Sequence, residues 1–183
     1  MGPTDELTKE HDAIGVVLDI LEVIAGQMDA GQDYEADHLD QILGFASIFI
    51  DRCHHGKEED YLFPAMESSL GAKKEWLVPD LLREHALSRD YVKQMKEHLA
   101  SAAAAHSVAS FVENAGKYVD LLRQHIYKEN NLLLAEAAQQ LSEDRQRAMA
   151  EDFRVLEEKR IGVGKHEQFH QMLESLQGTY LRK

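Results

Sequence analysis

The chain has 183 residues, enough for one domain with a sizeable buried core, and 33 acidic against 20 basic residues give it a formal charge of -13. That charge repels nucleic-acid phosphates and anionic lipid, so no nucleic acid and no membrane is expected as a partner. Three prolines among long stretches of Ala, Leu, Glu, Gln and Lys point to an all-α protein; one cysteine excludes an internal disulfide; and the lack of a leader or a run of about twenty apolar residues predicts a cytoplasmic location.

In chain order, a first helix is expected from an N-cap at Thr4 to about Asp29, carrying Leu7, His11, Ile14, Val17, Leu18, Leu21 and Ile24 at helical spacing and ending at Gly31. His11 lies on the apolar stripe and points inward. A second helix begins near residues 34–37 and runs through Leu39, Ile42, Leu43, Phe49 and Ile50 to about Met66, with a kink or break expected at Pro64. Cys53 precedes His54 and so turns about 100° away from it, which suits a small buried hydrophobe. After a turn over residues 68–72, a third helix carries Val78, Leu81, His85, Val92 and Met95. The alanine run over 100–105 reads as a loose connection. A fourth helix takes Val108, Phe111, Val119, Leu122, His125 and Leu133 to about Leu141. An N-cap within Ser142 to Asp144 opens a helix to about Arg160, and Gly162 and Gly164 make a hinge before a last helix with His166 and His170. His38, His98 and His106 are expected at the surface.

The chemistry concentrates in Arg52 to Pro64. His54-x-x-x-Glu58 puts an imidazole and a carboxylate on one helix face. At 71 positions further on, Arg123, His125, Lys128, Glu129 and Leu133 repeat Arg52, His54, Lys57, Glu58 and Leu62, and Glu10-His11 and Glu84-His85 precede the two copies. This duplication predicts two helix hairpins related by a pseudo-twofold axis, with four imidazoles and two carboxylates converging inside a four-helix bundle. Ile126 matches His55, so His55 reads as a flanking residue; Asn130 matches Glu59, which reads as a supporting or surface group. Imidazole nitrogen with carboxylate oxygen suits iron, manganese or zinc, and the lack of thiolates argues against a zinc finger or an iron-sulfur cluster. Two ions roughly 3.5 to 4 Å apart would share the two glutamates, leaving room for an oxo, hydroxo or dioxygen ligand. The ferritin-like alternative needs Glu-x-x-His pairs, whereas here His precedes Glu at spacing four.

His11, His54-x-x-x-Glu58-Glu59 followed by Leu62-Phe63-Pro64, Glu84-His85 and His125-x-x-x-Glu129, spread in that order over about residues 5–140, resemble the hemerythrin-like, or HHE cation-binding, family. The resemblance implies an up-and-down four-helix bundle over 1–141 with a C-terminal helical extension over 142–183 packed on it. It also implies two iron ions in a non-haem di-iron centre, oxo- or hydroxo-bridged, with Glu58 and Glu129 as protein bridges. Oxygen-carrying members use five histidines, including a His-x-x-x-His pair on the third helix, and an aspartate five residues after the fourth-helix histidine. Here Leu81 stands four before His85 and the second bridge is Glu129 at spacing four, so the bundle is one histidine short.

Such patterns are similar to those of sensors, iron handlers and redox enzymes more than of dedicated carriers. The function expected is binding or sensing of oxygen, nitric oxide or iron and redox status, with a small diatomic or peroxide ligand. The alternatives are a di-iron oxidoreductase acting on peroxide, nitric oxide or ferrous iron, and a purely structural bundle. The missing ligand is expected from the tail, with His166 beside the hinge favoured over His170, and Tyr61 or Tyr118 as other candidates. The opposing expectation is a surface helix packed through Phe169, Met172, Leu173 and Leu176. The expected metal set is therefore His11, His54, Glu58, His85, His125, Glu129 and His166, with no residue assigned to catalysis.

Overall fold

The computed structural model describes residues 2–67, 70–71, 74–100 and 105–181. The expected turn over 68–72 and linker over 100–105 lie partly outside these residues, as does the side chain of His106. Among the described residues there are six helices and no strand.

Helix α1 (Pro3–Asp29) has its cap two residues before the one expected at Thr4. Gly2 is the cap residue: its N–H donates to the Asp5 carboxylate at 3.0 Å, and Pro3 occupies a first-turn position where a missing N–H costs nothing. The helix ends as expected beside Gly31, whose φ of 65° is a left-handed conformation that glycine adopts without a Cβ penalty.

Helix α2 spans 36–67. It is α-helical over Ala36–Phe45, π-helical over Ala46–His55 and Glu58–Leu62, and α-helical again over Phe63–Glu67. It therefore continues through Pro64. The Phe63 N–H reaches back to the Glu58 carbonyl, five residues away, and this wider turn relieves the clash that a proline ring makes with the preceding turn of a regular helix. Helix α3 is Leu77–Ala100; α4 runs from Ala105–Lys128 through a π-helical stretch, Glu129–Leu134, to Ala135–Gln140. Ser142 caps α5 (Glu143–Arg160), its hydroxyl accepting from the Arg145 N–H at 3.3 Å, and Gly162 and Gly164, both at positive φ, turn the chain into α6 (Lys165–Tyr180).

Helix α3 lies along α4 and α4 along α1, while α2 packs on α1 and α3. Their apolar faces form two clusters. One holds Ile14 to Met28, Leu39 to Ile50, Val92, Met95 and Phe111 to Leu122; the other holds Leu7, Leu62, Phe63, Met66, Leu77, Leu81, Leu133 and Phe153. Each of the four helices crosses from one cluster to the other, and at the crossing it carries polar residues: His11 on α1, His54, His55 and Glu58 on α2, His85 on α3, His125 and Glu129 on α4. A polar layer is thus held between two slabs of hydrocarbon.

Helix α5 packs on α1 and on the π-helical part of α2, and α6 packs on α1 and on the start of α2. Leu173 and Leu176 enter the first cluster, and Phe169 meets Phe45 and Phe49 edge-on at 5.2 and 5.9 Å. This return of α6 corrects the reading of His38 as a surface residue: it is half-buried, with Nδ1 2.9 Å from the Tyr180 hydroxyl. His98 is half-buried as well. No described helix is long and apolar enough to cross a membrane.

Candidate metal centre

The polar layer contains two groups whose nitrogen and oxygen atoms lie within 4.8 Å of one another: His11, His54, Glu58 and Glu129, and His55, Glu58, His85 and His125. Glu58 belongs to both. Its Oε1 is 3.6 Å from His54 Nε2 and its Oε2 is 3.4 Å from His85 Nε2. Glu129 also faces both sides, with Oε2 3.1 Å from His11 Nε2 and Oε1 3.1 Å from His125 Nε2. All seven residues are buried, and both glutamates are fully so.

Four imidazoles are held by acceptors on the far side of the ring. His54 Nδ1 donates to Glu10 at 2.8 Å, His125 Nδ1 to Glu84 at 3.0 Å, His85 Nδ1 to Glu59 at 2.7 Å and His11 Nδ1 to the Asn130 side-chain oxygen at 2.7 Å. An Nδ1–H committed to an oxygen leaves Nε2 as the atom that faces the layer, which is how proteins orient histidine ligands. The arrangement obeys the duplication: Glu10 matches Glu84, and Glu59 on His85 matches Asn130 on His11. Lys57 and Lys128, equivalent again, donate to Glu10 and Glu84 respectively.

His55 breaks the symmetry. The expectation that it only flanks the site is overturned, because its ring stacks on His85 with centroids 3.7 Å apart and it belongs to the second group. The cause is helical pitch. His55 ends a π-helical stretch, Ala46–His55, in which successive residues turn through a smaller angle than in an α-helix, so His54 and His55 both face inward. The equivalent stretch of α4 is α-helical, and Ile126 packs against the apolar cluster. The adjacent pair of histidines was the one sequence signal for this residue.

The structure does not bring His166 to this layer. Its Nδ1 lies 3.0 Å from Glu157 and its ring meets Phe49 edge-on, while His170 is exposed. Tyr118 is buried in the first apolar cluster and Tyr61 is half-buried against Phe153. Leu81 lies in the second apolar cluster, where the third helix of a five-histidine carrier would place a ligand. Cys53 is fully buried as expected, and burial pushes its thiol up to about 12.

Electrostatically the layer is under load. Burial opposes the charge on His125, yet the nearby Glu129 carboxylate and the bond to Glu84 raise it to about 10. Burial opposes ionisation of Glu129, but His125 and then His11 hold it well below the usual carboxylate range. Burial would also raise Glu10, but its bonds to His54 and Lys57 lower it to about 2. Burial, then the neighbouring His85, His54 and His125, hold His55 well below its ordinary value.

Several atoms in the layer have no hydrogen-bond partner: His11 Nε2, His54 Nε2, both ring nitrogens of His55, and all four carboxylate oxygens of Glu58 and Glu129. The short His11 to Glu129 approach is close in distance but misaligned for a hydrogen bond. Orphaned buried polar atoms are costly unless another partner takes them up. His85 Nε2 and His125 Nε2 lie 3.1 Å apart, close to the separation of roughly 3 Å between two nitrogens on one cation at bonding distance. The donor set, imidazole nitrogens and shared carboxylates without thiolate, fits a divalent first-row metal.

The model of the hemerythrin HHE cation-binding domain matches residues 2–137, about three quarters of the chain. The chain belongs to that family. No curated protein matches it. HHE domains bind metal cations, typically iron, and the two His and Glu groups of this chain offer ligand atoms for such a cation. Helices α5 and α6 lie wholly beyond the matched residues.

Proposed function

We propose that this HHE domain holds a non-haem di-iron centre inside an up-and-down four-helix bundle of α1 to α4, and that it binds or senses a small diatomic or peroxide ligand. Glu58 and Glu129 would bridge the ions; His11 and His54 would hold one, and His55, His85 and His125 the other. The observation that carries this reading is the pair of orphaned, fully buried carboxylates, each facing imidazoles of both groups. His55 supplies the fifth histidine that α3 lacks, so no ligand from the tail is required.

The two groups are unequal in histidines, which leaves the side of His11 and His54 less filled. Iron held there would supply one-electron redox chemistry. The chain's own residues orient the imidazoles through Glu10, Glu59, Glu84 and Asn130, and the two apolar clusters exclude water. The same open side favours a second reading, redox turnover of peroxide, nitric oxide or ferrous iron.

Metal analysis with optical spectra taken before and after air exposure tests the proposal. About two iron ions per chain, with near-ultraviolet charge-transfer absorption appearing on aeration, is the expected result. A single zinc ion, with no iron taken up from added ferrous salt, overturns it. Multiple turnovers of peroxide would select the enzyme over the sensor.

A further inference from the structure

The duplication accounts for nearly all of the polar network, so its failures are informative. Lys57 Nζ donates to Glu6 and Glu10, both at 2.6 Å; its equivalent, Lys128, donates to Asp80 at 2.5 Å and to Glu84. Glu6 matches Asp80 just as Glu10 matches Glu84. Lys57 alone has a third carboxylate: Glu157 Oε2 of α5, 3.4 Å away. An ammonium carries three donors. Lys57 is fully buried and uses all three, whereas Lys128 is partly exposed.

Glu157 is itself held. Its other oxygen accepts from His166 at 3.0 Å, and His166 rests against Phe49. Three residues on, the Arg160 guanidinium crosses α2 over Gly56, where a Cβ would come within 2.1 Å of Nη1, and donates to the Arg52 carbonyl at 3.3 Å and to Asp60 at 2.5 Å. The extension therefore grips the stretch of α2 that carries His54, His55 and Glu58. The chain His166, Glu157, Lys57, Glu10, His54 is continuous from a half-exposed side chain to an imidazole of the layer.

We infer that the C-terminal extension positions one half of the centre: Glu157, through Lys57 and Glu10, sets the orientation and donor strength of His54 and so tunes the ion held with His11. The inference rests on the metal reading above. Glu157 is a positioning residue that touches no ligand. Removing its charge leaves the Lys57 ammonium to pull harder on Glu10, which then accepts less strongly from His54 Nδ1–H and makes Nε2 a weaker donor to metal. Among the described residues, no such hydrogen-bonded chain leads from the extension to His85 or His125, whose ring partners are Glu59 and Glu84.

The test is release of Co2+ from the full-length, cobalt-loaded protein to excess chelator, in the wild type, Glu157→Gln and Asp80→Asn. In Glu157→Gln, one of two cobalt equivalents is expected to leave about threefold to tenfold faster, below the loss seen when a direct partner of a ligand is removed, while the other keeps its wild-type rate. In Asp80→Asn the equivalent left unaffected by Glu157→Gln is expected to leave faster, and the double variant accelerates both. A ring N–H signal of His54 that shifts in Glu157→Gln while that of His125 stays separates positioning from a general loss of stability. Both equivalents accelerated by Glu157→Gln, or neither, overturns the inference and leaves the metal reading intact. A wild-type protein that takes up no Co2+ overturns the metal reading and the inference with it.

Discussion

His54 and His55 are neighbours in sequence and serve different groups of the layer. His54 is tied to Glu10 and faces Glu58 with His11; His55 lies flat on His85, and neither of its ring nitrogens has a hydrogen-bond partner. His55→Ala is expected to remove one of two bound ions, or to weaken it at least tenfold, while His166→Ala keeps both; metal analysis after gel filtration decides between them. An unchanged metal content in His55→Ala would return the fifth-ligand role to another residue. Because His54 and His125 occupy equivalent places, their alanine variants should lose similar amounts of metal, and Glu58→Ala should disturb both ions. A large loss in only one of the histidine variants would contradict the pseudo-twofold arrangement.

At the scale of elements, pitch and docking do the work that residue spacing leaves open. Glu58 and Glu129 each begin a π-helical stretch, so the duplication extends to this local widening, but only α2 is π-helical before its motif as well. That difference admits a fifth imidazole from one copy. Helix α6 is docked by Phe169, Leu173 and Leu176 and by His166 on Glu157. His166 is raised above its ordinary value of 6.5, first by its bond to Glu157 and against partial burial, with Glu10 adding and Lys57 subtracting. A raised histidine contributes its full stabilisation below its unfolded value and loses it as pH rises through the folded one. Backbone amides of α6 should therefore exchange faster with solvent above neutral pH than near pH 6, after correction for intrinsic exchange. His166→Ala should abolish that difference. Equal protection at both pH values in the wild type would mean that the apolar contacts alone hold the helix.

Over the whole molecule, the polar layer is a destabilising plane built into an otherwise apolar core. Two fully buried carboxylates and five buried imidazoles cost stability wherever their lone pairs go unmet, and packing on either side prevents water from meeting them. A cation that binds only the folded chain shifts the equilibrium by mass action, by about 2.7 kcal/mol at a free concentration one hundred times Kd. For a chain of this size that corresponds to a rise in Tm of roughly 5 to 10 °C. Thermal unfolding with ferrous or cobalt ion against excess chelator should show it, and the rise should shrink in His54→Ala and in His125→Ala. Superimposable melting curves with and without metal would mean that the layer is satisfied without a cation.

The helices, their inward stripes and six of the seven layer residues were legible in the sequence, because helical spacing is local and the duplication exposes matched His-x-x-x-Glu pairs. Ser142 as a cap and the hinge at Gly162 and Gly164 were legible for the same reason: they depend on a few adjacent residues. His55 was not, because spacing assumes one pitch throughout, and α2 departs from it ahead of Glu58 in a way that α4 does not ahead of Glu129. His166 was misplaced because a histidine beside a hinge can turn toward the site or toward a carboxylate, and that choice is made by where α5 carries Glu157. The partners of the buried imidazoles were likewise set by tertiary structure: Glu10 on His54, Glu84 on His125 and Glu59 on His85 join residues 44, 41 and 26 positions apart. Local periodicity determines which face of each helix is buried, whereas the register of one helix against the next determines which buried groups meet.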